Sequence, residues 1–360
     1  MRNVHGRRAW LAAAAILGAA MASVLALGGC GRQDANGMTA VGKVASYQGA
    51  DRAQFLLDGA RKEGTLTIYT SGAATDIETL VDDFKKKYGL KVEVWRSGQN
   101  EVRSRIIQEA RARKNTFDIV LTTGKAAEAV YREHLLQKVD SPYFKDLIAQ
   151  ALLPHREWTG DQIAVFVQEY NPQKLKKSEL PKTYLDLLDP KWKNRLGIEA
   201  SDYEWVMGVA KSMGEEQGVQ FFKDLARNNR VSVWKGHTVL NNAVILGEVA
   251  LGLTQYHYIP AQSKADGASL DWFALQPAIA QMGGLAMSRS APHPYAATLF
   301  YDYMLTDGQK VFAALNFIPV NKNVDSPYKD IRYTVSDSAE VLDENDKWND
   351  LYNKIFLKQK

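Results

Sequence analysis

The chain has 360 residues, 46% of them hydrophobic and 24% charged, with a single cysteine, so it is too long for one small module and has no disulfide framework to staple it. Its formal net charge of +4 comes mostly from Arg2, Arg7 and Arg8, in a segment with no acidic residue, and the remainder is close to neutral. That balance removes the main argument for a nucleic-acid partner.

Taken in order, residues 1–29 place those arginines ahead of an apolar run from Trp10 through Leu27, the layout of a secretory signal peptide. Leu27-Gly28-Gly29-Cys30 resembles a bacterial lipobox, in which the Cys30 thiol receives a diacylglycerol and becomes the first residue after cleavage. Arg7-Arg8 also fits a twin-arginine signal, which leaves the export route open. Residues 30–50, the lipidated Cys30 and a stretch rich in Gly, Ala, Ser and Asn, read as a flexible tether. The expected location is the periplasm or cell envelope, with the membrane reached only through the lipid anchor.

The body alternates strand and helix. Asp51 opens a helix through Lys62; Leu66 to Tyr69 is an apolar strand; Ile77, Leu80, Val81, Phe84 and Tyr88 recur at helical spacing until Gly89. A strand Val92 to Trp95, a helix from Asn100, a strand Phe117 to Leu121 and a helix to about His134 follow. The run Gln162 to Val167 reads as a strand leaving this first lobe. A second alternation then places strands at Leu196 to Glu199, Val231 to Trp234 and Ala250 to Thr254, with helices from Trp205, Glu215 and Thr238. Asp271 to Leu275 reads as a return strand, and Met282 to Met287 with a helix Tyr295 to Met304 rejoins the first lobe.

Alternation of this kind predicts an α/β chain with two parallel or mixed sheets flanked by helices. Lobe 1 would comprise residues 51–167 and 272–320, lobe 2 residues 168–271, and residues 321–360 would form a C-terminal helical segment packing back on the lobes. Two crossings make a hinge and a cleft.

Ligands in such sheets bind beyond the carboxyl ends of the strands. On lobe 1 that rim offers Ser71, Gly72, Arg96 and Thr123; on lobe 2 it offers the acidic, aromatic loop Asp202, Tyr203, Glu204 and Trp205, then Tyr256, His257 and Tyr258. His237 opens a helix on the same side. Flat Tyr and Trp faces beside carboxylates suit a cationic group, so a small organic solute with a cationic group is the favoured ligand. Catalysis has no motif: there is no phosphate loop, no nucleophile elbow and no zinc-protease helix, and the six histidines show no short metal spacing. The expectation is a protein that is not an enzyme and needs no cofactor, with a periplasmic sensor or an enzyme on the same fold as the alternative.

Four segments carry a family resemblance: Leu66 to Ser71 (L-T-I-Y-T-S), Asp118 to Leu121 (D-I-V-L), Asp189 to Gly197 (D-P-K-W-K-N-R-L-G) and Gly247 to Thr254 (G-E-V-A-L-G-L-T). With them the chain resembles periplasmic substrate-binding proteins of ABC importers, in the ferric-iron-binding branch. The resemblance implies the two-lobed type II periplasmic binding protein fold, a monomer, and an importer permease with its ATPase as partners. The branch's iron ligands, a His, a Glu and a Tyr pair, fall on or near Ala73, Thr123, His257 and Tyr258, so only Tyr258 keeps its type. Iron, as the alternative ligand, would then need a different set drawn from Asp202, Glu204, Tyr256 and Tyr258.

Overall fold

The computed structural model describes residues 39–358, so the expected signal peptide, Cys30 and the first part of the tether lie outside the described residues. β-Branched and aromatic runs bounded by glycine or polar turns form eleven strands: β1 (Thr65–Thr70), β2 (Lys91–Arg96), β3 (Ile119–Thr123), β4 (Trp158–Tyr170), β5 (Leu196–Glu199), β6 (Ser232–Trp234), β7 (Leu251–Tyr256), β8 (Asp271–Phe273), β9 (Ile279–Met287), β10 (Ile318–Pro319) and β11 (Thr334–Val335). Between β1 and β2 the helix Ala74–Tyr88 buries Ile77, Leu80, Val81 and Phe84, as its spacing predicts, and ends at Gly89 with φ of 72°.

β1 pairs in parallel with β2 and β3, whereas β9 runs antiparallel to β3 and β4. In the second lobe β5 pairs in parallel with β6 and β7, and β7 is antiparallel to β4. The expected two sheets are thus joined through β4 into one curled mixed sheet of order β2-β1-β3-β9-β4-β7-β5-β6. β4 serves both halves because it is 13 residues long and its side chains alternate. Ile163, Val165 and Val167 enter the first core, while Phe166 and Tyr170 enter the second.

The stretch read as tether is ordered where it is described. Ala40–Ala45 is a helix whose Thr39 Oγ1 accepts the Gly42 N–H at 3.0 Å, and Val44 and Ala45 are buried in the first core. Just beyond it, Arg52 reaches the buried Asp302 at 2.7 Å and bonds the Tyr47 carbonyl. The small-residue composition concealed a capped apolar stripe, which is why it read as linker.

The C-terminal segment crosses between lobes a further time. Ile331, Tyr333 and Val335 lie against the first core, and Val341, Trp348, Tyr352, Ile355 and Phe356 are part of the second. The helix Ser338–Asp343 pairs with both sides: Asp343 with Arg132 of the first lobe, and Glu340 with Lys211 of the second at 2.6 Å. Among the described residues no helix is long and apolar enough to cross a membrane.

Candidate functional site

The carboxyl ends of β1, β2 and β3 face those of β5 and β7 across a cavity of about 520 Å³. Lobe 1 contributes Ser71 and Gly72 after β1, Arg96 at the end of β2 and Thr123 at the end of β3. This rim is tied together: Ser71 Oγ lies 3.0 Å from Thr122 Oγ1, Thr123 Oγ1 donates to Gln99 Oε1 at 2.7 Å, and Arg96 Nη1 donates to the Gly72 carbonyl at 3.4 Å.

Lobe 2 contributes Asp202, Tyr203, Glu204, His237, Tyr256 and Tyr258. Asp202 stands at the N-terminus of the helix Tyr203–Met213, without a side-chain capping bond. β7 runs two residues further than expected, so Tyr256 ends a strand, and Tyr258 starts a helix, Tyr258–Ala265, that periodicity did not reveal. The lone His237 opens the helix His237–Leu246 beneath the ring of Tyr256, with centroids 4.3 Å apart.

Two expected ligand residues are elsewhere. Trp205 has no exposed surface and packs in the second core against Phe222, with centroids 5.2 Å apart, because one step along a helix turns a side chain about 100° away from the wall that Glu204 faces. His257 is equally buried: its Nδ1 accepts the Val165 N–H at 3.2 Å and its ring packs on Trp272 and Tyr328. Burial pulls its pKa down to about 3, so it is a neutral ring holding β4. One step beyond β7, its side chain is turned into the protein, away from the cavity that Tyr256 and Tyr258 line.

Four charged lining residues escaped the sequence reading. Glu199 ends β5, Asp76 lies in the first turn of the helix after β1, Lys125 follows β3, and Asp161 is buried on β4. An acidic residue at the carboxyl end of a strand was a usable signal for Glu199, and one in the first turn of the following helix for Asp76; nothing local marked Asp161.

The electrostatics are those of a cavity crowded with acids. Burial raises the pKa of Asp202 well above the usual carboxylate range, and the Glu199 and Glu204 charges raise it further. Burial likewise raises Glu204, against the attraction of Lys125, whose own pKa burial lowers. The Tyr256 phenol is pushed up by burial and then by Asp202, Tyr258, Glu204 and Glu199; Tyr258 by burial and then by Asp76 and Asp202. Asp161 is held up to about 7 by burial. The raised carboxyls and phenols share one cause, the cost of placing negative charge in a buried cavity beside other acids.

Residues 79–334 match the family model described as bacterial extracellular solute-binding protein. The chain belongs to that family. Among curated relatives, this solute-binding protein is 26% identical over 292 residues to the "Fe(3+)-binding periplasmic protein" of Serratia marcescens, covering 78% of this chain and 85% of the relative. Among solved structures it is similar to iron-bound HitA from Pseudomonas aeruginosa, with TM-score 0.71 and 22% identity over 81% of this chain and 99% of that one. It is also similar to AfuA from Actinobacillus pleuropneumoniae with fructose-6-phosphate bound, with TM-score 0.68 and 20% identity over 82% and 99% of the two chains. These structural likenesses establish the type II periplasmic binding fold. The protein is accordingly a periplasmic solute-binding protein of the ABC-importer type.

Proposed function

We propose that the protein captures iron(III), free or as a small chelate, in the cleft and delivers it to an ABC importer permease and its ATPase. The observation carrying this reading is the orientation of the two tyrosines. Tyr256 has one face against His237 at 4.3 Å, and Tyr258 packs on Phe317 at 4.1 Å. The two rings stack on each other, 9° from parallel with centroids 5.9 Å apart, and Phe166 packs on Tyr256 at 4.9 Å. An ammonium group needs a free aromatic face. What these rings offer the cavity is oxygen, beside Asp202 and Glu204, and a hard trivalent ion takes anionic oxygen.

This replaces the cationic organic solute expected from aromatic faces beside Asp202 and Glu204, since Trp205 and His257 leave the aromatic wall that reading required. The iron-named relatives support the same choice. On binding, the cation would compensate the mutual repulsion of Asp202, Glu204 and the phenols, and lobe 1 would close over it by hinge motion at β4 and β9. Ser71, Gly72, Arg96, Thr123 and Tyr203 would then line the wall facing the ion. We further propose a monomer held to the membrane by lipid on Cys30, without catalysis.

The test is a titration of the metal-stripped protein with ferric nitrilotriacetate, read by visible absorption and calorimetry. A tyrosinate charge-transfer band that saturates at one iron per chain is expected. No band and no heat with iron, together with heat from organic amines, would reverse the choice.

A further inference from the structure

Glu199, Asp202 and His237 each present one donor atom, and those atoms lie within 4.8 Å of one another. All three come from the second lobe. β5 and β6 pair in parallel with Glu199 in register with Trp234, which sets the loop carrying Asp202 beside the turn carrying His237. His237 Nε2 stands 3.6 Å from Asp202 Oδ1.

The surroundings hold these groups in place. Glu199 Oε1 accepts the Gly236 N–H at 3.0 Å, a contact that depends on the Gly236 φ of 103°, and Glu199 Oε2 accepts the N–H and Oγ–H of Ser201 at 2.6 Å each. The His237 carbonyl accepts from Gln255 Nε2 at 2.9 Å, and the Tyr256 ring braces the imidazole. Fixing ligands through outer hydrogen bonds is how metal sites keep their geometry.

One feature of the cluster has no structural explanation. Asp202 is 4% exposed, yet its Oδ2 has no hydrogen-bond partner, and neither has His237 Nδ1. A buried carboxylate oxygen without a partner, beside two further acids, is costly unless a cation completes it. We infer that Glu199, Asp202 and His237 form a transition-metal docking site carried wholly by the second lobe, so that the ion is held before the lobes close. The imidazole selects a first-row transition ion over magnesium or calcium, which prefer all-oxygen ligands. This rests on the cation reading of the cleft and adds a nitrogen donor and an order of assembly to it.

The probes are ferric nitrilotriacetate, zinc chloride and manganese chloride, titrated into the full chain and into Asp202→Asn and His237→Gln. Each variant is expected to bind ferric ion about tenfold to a hundredfold more weakly. Pulsed electron paramagnetic resonance of the iron-loaded native chain should show imidazole nitrogen coupling, and this measurement does not depend on the variants folding. Native-like affinity in both variants, or iron binding without nitrogen coupling, overturns the triad and leaves the iron proposal standing. Zinc or manganese binding that His237→Gln abolishes, with no ferric binding by the native chain, supports the triad and removes iron. No binding of any probe removes both.

Discussion

Tyr256 and Tyr258 lie 9° from parallel with ring centroids 5.9 Å apart, although one ends a strand and the other begins a helix. Residues two apart in a strand share a face, and the helix start preserves that pairing while His257 is turned into the protein. Both tyrosines line the cavity with Asp202, whose charge raises the pKa of each phenol. Tyr256→Phe and Tyr258→Phe keep the rings and remove the oxygens. Each should weaken the ferric charge-transfer band and lower iron affinity about tenfold or more, with little change in melting temperature. An undiminished band in the double variant would exclude tyrosinate ligation.

Trp205 offers the opposite test. It is buried among Tyr184, Phe221 and Phe222 and does not line the cavity. Trp205→Ala should cost about 3 to 5 kcal/mol of stability, read by denaturant unfolding. At temperatures where the variant stays folded, its iron affinity should match that of the native chain.

The pH dependence of stability should carry the mark of Glu169. This residue is fully buried on β4, and burial raises its pKa to about 8 against a hydrogen bond from Gln255 at 3.0 Å. The folded chain therefore keeps a proton that the unfolded chain has released above about 4.5. This contribution to stability is fully present below about 4.5 and declines as pH rises from there toward 8, where it levels off. Asp161, raised to about 7, adds to the same decline. Glu169→Gln mimics the protonated form and should narrow the difference in melting temperature between pH 5 and pH 8. An unchanged difference would show that Glu169 ionises normally in the fold.

The C-terminal helices separate burial from surface charge. Trp348 has no exposed surface in the second core, so Trp348→Ala should cost about 3 to 5 kcal/mol. Asp343, which is exposed, pairs with Arg132 across to the first lobe, and Asp343→Asn should cost less than about 1 kcal/mol. Chemical denaturation of both variants measures the contrast. A larger loss in Asp343→Asn would make the ionic contact the dominant tie of this segment.

Much of this was legible along the chain because the relevant information is local. Helical spacing of Ile77, Leu80, Val81 and Phe84, the left-handed stop at Gly89 and apolar runs such as Leu66 to Tyr69 act over a few residues, so they survive being read in one dimension. The rule that ligands gather at carboxyl ends of strands brought Ser71, Gly72, Arg96, Thr123, Asp202, Glu204, Tyr256 and Tyr258 to one cavity. Local patterns also misled. Composition made Ala40–Ala45 a linker, and nearness in sequence placed Trp205 and His257 beside neighbours whose faces they do not share.

By itself the sequence determined the α/β alternation, the two-lobed architecture and the family, each written in short-range patterns. Only the tertiary structure decided which groups meet. That Glu199 stands within reach of His237 depends on the pairing of β5 with β6, and that the two tyrosines present oxygens instead of free faces depends on His237 and Phe317 packing against them. Such juxtapositions follow from strand order and side-chain direction, which are properties of the folded sheet and cannot be read from spacing along the chain.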